Sequence, residues 1–178
     1  TLIMKINALE AHDTPDVLLI DSRSGIDETA SAVVTDLGAH LVCLFAIHGA
    51  QTWTGYRILF EHWKRAGVVK DIRDRLQIVA GLVPETDSVA YVEALRQASW
   101  DLFGEYLYDE VEAGATAEFS FDVSEPDAPH YPWAIHWNRG FAALERLHGN
   151  EVVVDDERVR AVFGEVFDGL DKLTPAED

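Results

Sequence analysis

The sequence predicts an α/β fold: a doubly wound, mostly parallel sheet with helices on both faces. Three observations carry that expectation. Continuous apolar runs recur as "VLLI", "HLVCLFAI" and "LQIVAGLV", which is how strands covered on both faces read. Stretches with apolar residues at helical spacing separate them. The connections are short, so helix, strand, helix, strand, helix, strand is the order of a repeated crossover.

Taken from the start, Leu2, Ile3, Ile6 and Leu9 mark a short helix over 2–10, and "HDTPD" is turn chemistry ending on Pro15. Val17 to Ile20 is the first predicted strand. Ile26, Ala30, Val33, Val34 and Leu37 share a helical face, and Gly38 stands where a helix stops. "AHLVCLFAI" is the second strand. In "TWTGYRILFEHWKRAG" the residues Trp53, Tyr56, Leu59, Phe60 and Trp63 form one side of a helix. Lys64 and Arg65 sit near its C-terminus, where cations are favoured, and Gly67 closes it. "LQIVAGLV" is the third strand. Ser88 is the expected cap of a long helix ending near Asp109. "EVEAGATAE" reads as loop and "FSFDV" alternates as a short strand would. "SEPDAPHYPW", with three prolines in ten residues, must be an extended or turning loop. Asn138 is the expected cap of a helix over Arg139–His148. Val159, Val162, Phe163, Val166, Phe167 and Leu170 mark a last amphipathic helix, and the tail over 172–178 is expected to fray.

With 178 residues the chain suits a single α/β domain over 1–178 that buries roughly 70% of its unfolded surface. No apolar run approaches the roughly 20 residues of a membrane span, which excludes membrane insertion by a helix. The lone cysteine, Cys43, lies within an apolar run and reads as a buried structural thiol, so a cytoplasmic location is expected. A formal charge of −18 repels phosphate backbones, which argues against direct nucleic-acid binding. The seven histidines show no His-x-x-x-His or Cys spacing of a metal site.

The stretch "DSRSG", residues 21–25, ends the first apolar run on a polar cluster. In open parallel sheets ligands bind outside the carboxyl ends of the strands, where this cluster is expected to lie. Asp21 is of the type that holds Mg2+, which takes one or two carboxylates and keeps part of its water. Ser22, Ser24 and backbone N–H groups are donors, Arg23 is a fixed positive charge, and Gly25 lets the backbone approach a phosphate closely. The same letters are also ordinary helix-start chemistry, and spacing alone does not separate the two readings.

"DVLLIDSRSGIDETASAVVTDLGAHLVCLFAIHGAQTWTGYRILFEHW" resembles the region of ParA/MinD-type P-loop ATPases that begins at the Walker B and switch II strand. One branch of that superfamily reads close to "YDYVLIDSRTGxxD" there. Asp21, Ser22, Arg23 and Gly25 match it, with Ser24 where Thr is usual. The likeness spans roughly 14–66 and weakens beyond. It implies ATP and Mg2+ as cofactors, Asp21 as catalytic and metal-supporting residue, and residues 22–25 as a switch that senses the γ-phosphate. It further implies Pro84, Pro129 and Tyr131 as neighbours of the adenine, and a homodimer that switches a protein partner. The family's glycine-rich loop, "KGGTGKT" or similar, has no counterpart, since nothing matches G-x-x-x-x-G-K-[ST]. Two readings follow: the C-terminal part of a longer Mg-ATP-dependent ATPase, or a degenerate relative that serves as an acidic protein-binding module. The absence of Met at position 1 and an opening in mid-fold favour the first.

Overall fold

The computed structural model describes residues 17–21, 34, 38–110, 119–142 and 155–172. Contacts divide the chain into two units, Thr1–His40 and Leu41–Asp178. In the first, Val34 is helical and buried, in keeping with the helix expected around it. Val17–Ile20 corrects an expectation. These residues form no strand, and Val17 and Leu19 are well exposed. An apolar run becomes a strand only when a neighbour takes its backbone hydrogen bonds, and the sheet of the described residues does not include this one. The helix expected over 2–10, most of that over 26–37, the rest of that over Arg139–His148 and the tail beyond Lys172 lie outside the described residues.

The second unit is α/β. Its strands β1 (Val42–Ala46), β2 (Leu76–Val83) and β3 (Trp133–His136) form a parallel sheet in the order β1-β2-β3. Helix α1 (Ala50–Ala66), the short helix α2 (Val69–Ile72) and a 3-10 turn (Arg73–Arg75) join β1 to β2. Helix α3 (Ser88–Tyr106) and a long loop join β2 to β3, and α4 (Arg139–Ala142) and α5 (Asp156–Asp171) follow. Crossovers between parallel strands are right-handed almost without exception. Two of them that step the same way across a sheet bring their helices to one face, and α1 and α3 do pack on each other.

Register shows which face they cover. Leu44 and Ala46 pair with Ile78 and Ala80, so their side chains share a side, and all four are buried. Phe45 points the other way and is 59% exposed. Phe60 of α1 is the centre of the covered side: it stacks on Trp63 at 5.3 Å and meets Phe103 of α3 edge-on at 5.5 Å. All three rings have no accessible surface. Such offset and edge-to-face pairs add about 1 kcal/mol each beyond the area they bury. The aromatic stripe on α1 is thus core. Its helix ends on Gly67, at φ +74, with N–H bonds back to Lys64 and Trp63 that only a left-handed residue makes easily.

Trp133 stands in register with Val79, on the side opposite Ala80, and α5 packs against β3 there. A Cβ built on Gly169 would lie 2.4 Å from the Trp133 ring, so glycine is what permits this approach. Glu165 Oε2 accepts the Ala134 N–H at 2.8 Å, which satisfies a donor that an edge strand would otherwise leave open. Asp155 caps α5 by accepting from Glu157 N at 3.1 Å.

Further expectations change. "FSFDV" is not a strand: Phe119 and Phe121 ring Tyr108 at 5.7 and 5.5 Å, and the Phe121 carbonyl accepts Trp100 Nε1–H at 2.9 Å. Its alternation reflects rings turned onto a loop core. The third strand of this sheet is instead "WAIH", which begins on the last residue of the segment expected to be loop and runs on into residues given no element from the sequence. Ser88 does not cap α3. Asp87, at φ +58, holds the cap position without a side-chain bond, and the helix stops at Tyr106 rather than near Asp109. Asn138 does cap α4, accepting from Gly140 N at 2.9 Å. Cys43 is half-buried rather than enclosed, and that burial raises its thiol pKa.

Candidate functional site at the carboxyl edge of the sheet

Because the three strands are parallel, the connections that leave them emerge on one edge. Ile47, His48 and Gly49 lead from β1 into α1, Pro84 to Asp87 lead from β2 into α3, and Trp137 and Asn138 lead from β3 into α4. The Trp137 N–H bonds the Val83 carbonyl at 2.8 Å, extending the β3 side of the edge.

The central strand is distorted here. Its pairing with β3 slips between Ala80 and Val83, and Leu82 within the slip has φ +55. A leucine in the left-handed region costs about 1 kcal/mol, and this one is 58% exposed. Tyr91, in the first turn of α3, ties the edge together. Its hydroxyl donates to the Gly81 carbonyl at 3.0 Å and accepts the His48 N–H at 3.0 Å. The His48 and Tyr91 rings lie 5.9 Å apart.

Of the helices that start at this edge, α1 and α3 lack a side-chain cap and an acid in the first turn. Their first N–H groups are unsatisfied by the helix itself, and the macrodipole adds partial positive charge. In a chain with 32 acids against 14 bases, the N-terminus of α1 at "HGAQT" is a local exception to the anionic surface. Glu85 and Asp87 flank the start of α3, so α1 is the more favourable end for an anionic ligand.

The residues singled out in the sequence fall in different places. Asp21 is exposed and belongs to the first unit. Ser22, Arg23, Ser24 and Gly25 lie outside the described residues. Pro84 lies at the carboxyl edge. Pro129 and Tyr131 do not join it: the Pro129 carbonyl accepts Ile78 N–H at 2.9 Å, and the Tyr131 carbonyl accepts Gln77 Nε2–H at 2.7 Å. These partners belong to the amino half of β2, about 20–23 Å from Pro84 at the rise of an extended chain. Tyr131 lines a cleft of about 160 Å³, well below the roughly 300 Å³ at which pockets for drug-sized ligands begin. One adenine pocket built from Pro84, Pro129 and Tyr131 is therefore not formed.

His48, Leu82, Tyr91 and Trp137 were not singled out as a group by the sequence. The signal that could have found three of them was position, since each follows or ends an apolar run at its carboxyl end. Tyr91 carried no signal beyond its place on a helix.

The amino half holds a structural polar cluster. His130 is fully buried, and its Nε2–H donates to the Val123 carbonyl at 3.3 Å. Nδ1 therefore accepts from the Tyr108 hydroxyl, at 2.5 Å. Burial pushes the His130 pKa down and the Tyr108 pKa up. Arg73 grips Asp109 at 2.6 and 3.1 Å and lies 4.4 Å from the Phe119 ring centre. The Arg73 hydrogen bond is the main reason that the Asp109 carboxyl titrates below its usual range. These groups hold the loop after α3, and none faces the carboxyl edge.

Among the described residues no group of three His, Cys, Asp or Glu side chains could hold a metal ion, and no helix is long and apolar enough to cross a membrane. Compared with protein-family models, with curated proteins and with solved structures, the chain finds no match in any of the three.

Proposed function

We propose that the chain is the C-terminal part of a cytoplasmic, Mg-ATP-dependent ATPase of the ParA/MinD type, a homodimerising switch that acts on a protein partner. The observation that carries this reading is the carboxyl edge of the parallel sheet. There the uncapped starts of α1 and α3 supply N–H donors and positive dipole ends beside a strained bulge at Gly81–Leu82. The resemblance of "DSRSG" to a Walker B and switch II motif adds the chemistry. Asp21 would support Mg2+ directly or through water, and a single exposed carboxylate fits an ion that takes its other ligands from phosphates and water. The ion would supply charge to offset the phosphate oxygens. Ser22, Arg23, Ser24 and Gly25 would sense the γ-phosphate, and Pro84 would border the base.

Phosphoryl transfer depends on positioning and electrostatics. These 178 residues hold no G-x-x-x-x-G-K-[ST], so on this reading the loop that cradles the β- and γ-phosphates is contributed from outside them. Alone, the chain binds Mg-ATP weakly. Titration of the isotopically labelled chain with Mg-ATP tests the placement of the site. Amide signals at Gly49–Gln51 and Gly81–Asp87 should move in a saturable way while those around Tyr131 stay still. No movement, or movement confined to Tyr131, would refute it.

The exposed side chains of Phe45 and Leu82 favour the alternative, an acidic binding module of related fold without turnover. On that reading Mg-ATP leaves the carboxyl edge unaffected.

A further inference from the structure

Trp137 brings an exposed aromatic ring to the carboxyl edge. It is 41% accessible although its backbone is held, because its N–H bonds the Val83 carbonyl at 2.8 Å. That bond continues the ladder one step past the Val83–His136 pair. Pro84 is therefore the next neighbour of Trp137 across the strand ends, at one strand spacing of about 5 Å. Leu82, exposed within the slip of the same strand, adds a third apolar side chain.

The polar backbone groups around them are engaged within the protein. The Gly81 carbonyl accepts from Tyr91, the Val83 carbonyl from Trp137, and Asn138 Oδ1 from the Gly140 N–H. Pro84 has no N–H to give. Charged side chains here are of both signs. Glu85 and Asp87 follow Pro84, Arg139 follows Asn138, and Asp156, Glu157 and Arg158 begin α5. Arg158 Nη1 comes within 3.5 Å of a Cβ built on Gly140. No single sign selects an ion, and the distinctive feature of this end is the accessible indole. Three apolar side chains suffice for one planar ring and fall far short of the roughly 800 Å² per partner of a stable protein contact. The start of α1, the more favourable end for an anion, belongs to the strand two places away, about 10 Å across the sheet. An extended nucleotide separates its base from its phosphates on that scale.

We infer, resting on the nucleotide site proposed for this edge, that Trp137 stacks on the base of the nucleotide, with Pro84 and Leu82 beside it. The base is then held by its face more than by its edge, since aromatic stacking accepts any π-face. Purines, which have the larger ring system, are preferred over pyrimidines.

The test titrates the labelled 178-residue chain and its Trp137→Ala and Trp137→Phe variants with Mg-ATP, Mg-GTP, Mg-CTP and magnesium tripolyphosphate, following the amides of Gly49–Gln51. Circular dichroism and thermal melting confirm that the variants are folded. Tripolyphosphate supplies phosphates without a base. Trp137→Ala should weaken Mg-ATP at least about fivefold, the lower bound for a base stacked on an aromatic ring, and leave tripolyphosphate unchanged. Trp137→Phe should retain most of the affinity, and the native chain should bind both purine nucleotides more tightly than Mg-CTP. Unchanged Mg-ATP affinity in Trp137→Ala, or equal losses for Mg-ATP and tripolyphosphate, would overturn the role of Trp137 and leave the nucleotide site standing. Mg-CTP bound as tightly as Mg-ATP would overturn recognition by the ring face. No saturable movement with any of the four probes would overturn the nucleotide site itself, and the role of Trp137 with it.

Discussion

Acidification should destabilise the chain through one histidine, and the size of the effect follows from its surroundings. His130 is fully buried with both ring nitrogens engaged, one accepting from Tyr108 and one donating to Val123. A second proton would turn the acceptor Nδ1 into a donor facing the Tyr108 O–H, and would place a cation near Arg96. Asp122 and Glu125 oppose this only partly, so the folded pKa lies below the ordinary 6.5. The unfolded chain then binds the proton first, and stability falls as pH drops through about 6.5, levelling off below the folded pKa. For one proton the slope has an upper bound of about 1.4 kcal/mol per pH unit. Urea unfolding at pH 7.5, 6.5 and 5.5 measures it. Protonation of surface acids also changes stability in a chain of −18, so the readout is the difference between the native chain and His130→Gln, which lacks the titration. A pH-independent difference between the two would refute the burial argument.

Helix α5 and the loop clamp give two further expectations. Gly169→Ala should lower stability by about 1–2 kcal/mol despite better helix propensity, because its Cβ meets the Trp133 ring at 2.4 Å, whereas Gly104→Ala, with open space around it, should raise stability by about 0.5–1 kcal/mol. Paired urea melts separate packing from propensity, and the same sign for both would contradict the close approach. Arg73→Leu leaves Asp109 with only the Phe119 N–H and removes a bond to the Leu107 carbonyl. Calorimetry should show a loss of about 2 kcal/mol, less than for a fully buried pair because Asp109 is partly exposed, and an unchanged melting temperature would mean the clamp is incidental.

The sequence-based reading succeeded where the local pattern contains its own boundary. "LQIVAGLV" is β2 residue for residue, α1 closes on the predicted Gly67, and the apolar positions of "VRAVFGEVFDGL" lie in α5. It failed where structure depends on a distant partner. "WAIH" is four residues between Pro132 and Trp137, too short to show alternation, and it becomes a strand because β2 lies beside it. "FSFDV" alternates because Tyr108 collects its rings. Val17–Ile20 has the composition of a strand and none of the pairing. The same division applies to the candidate site. Pro84 lies at the carboxyl edge because a strand ends just before it, while Pro129 and Tyr131 lie at the amino half because their loop returns along Ile78 and Gln77, a path that no local motif encodes.

The proposed function rests most directly on Asp21. The measurement is steady-state ATP hydrolysis beside ATP affinity for the full-length protein and its Asp21→Asn variant, with circular dichroism to confirm that both are folded. Asparagine keeps the shape and removes the charge that would complement Mg2+. The account predicts turnover reduced by at least about a hundredfold, with ATP affinity changed far less because on that reading most phosphate contacts come from outside these residues. Unchanged turnover in the variant, or no hydrolysis by the native protein, would contradict it and leave the acidic binding module.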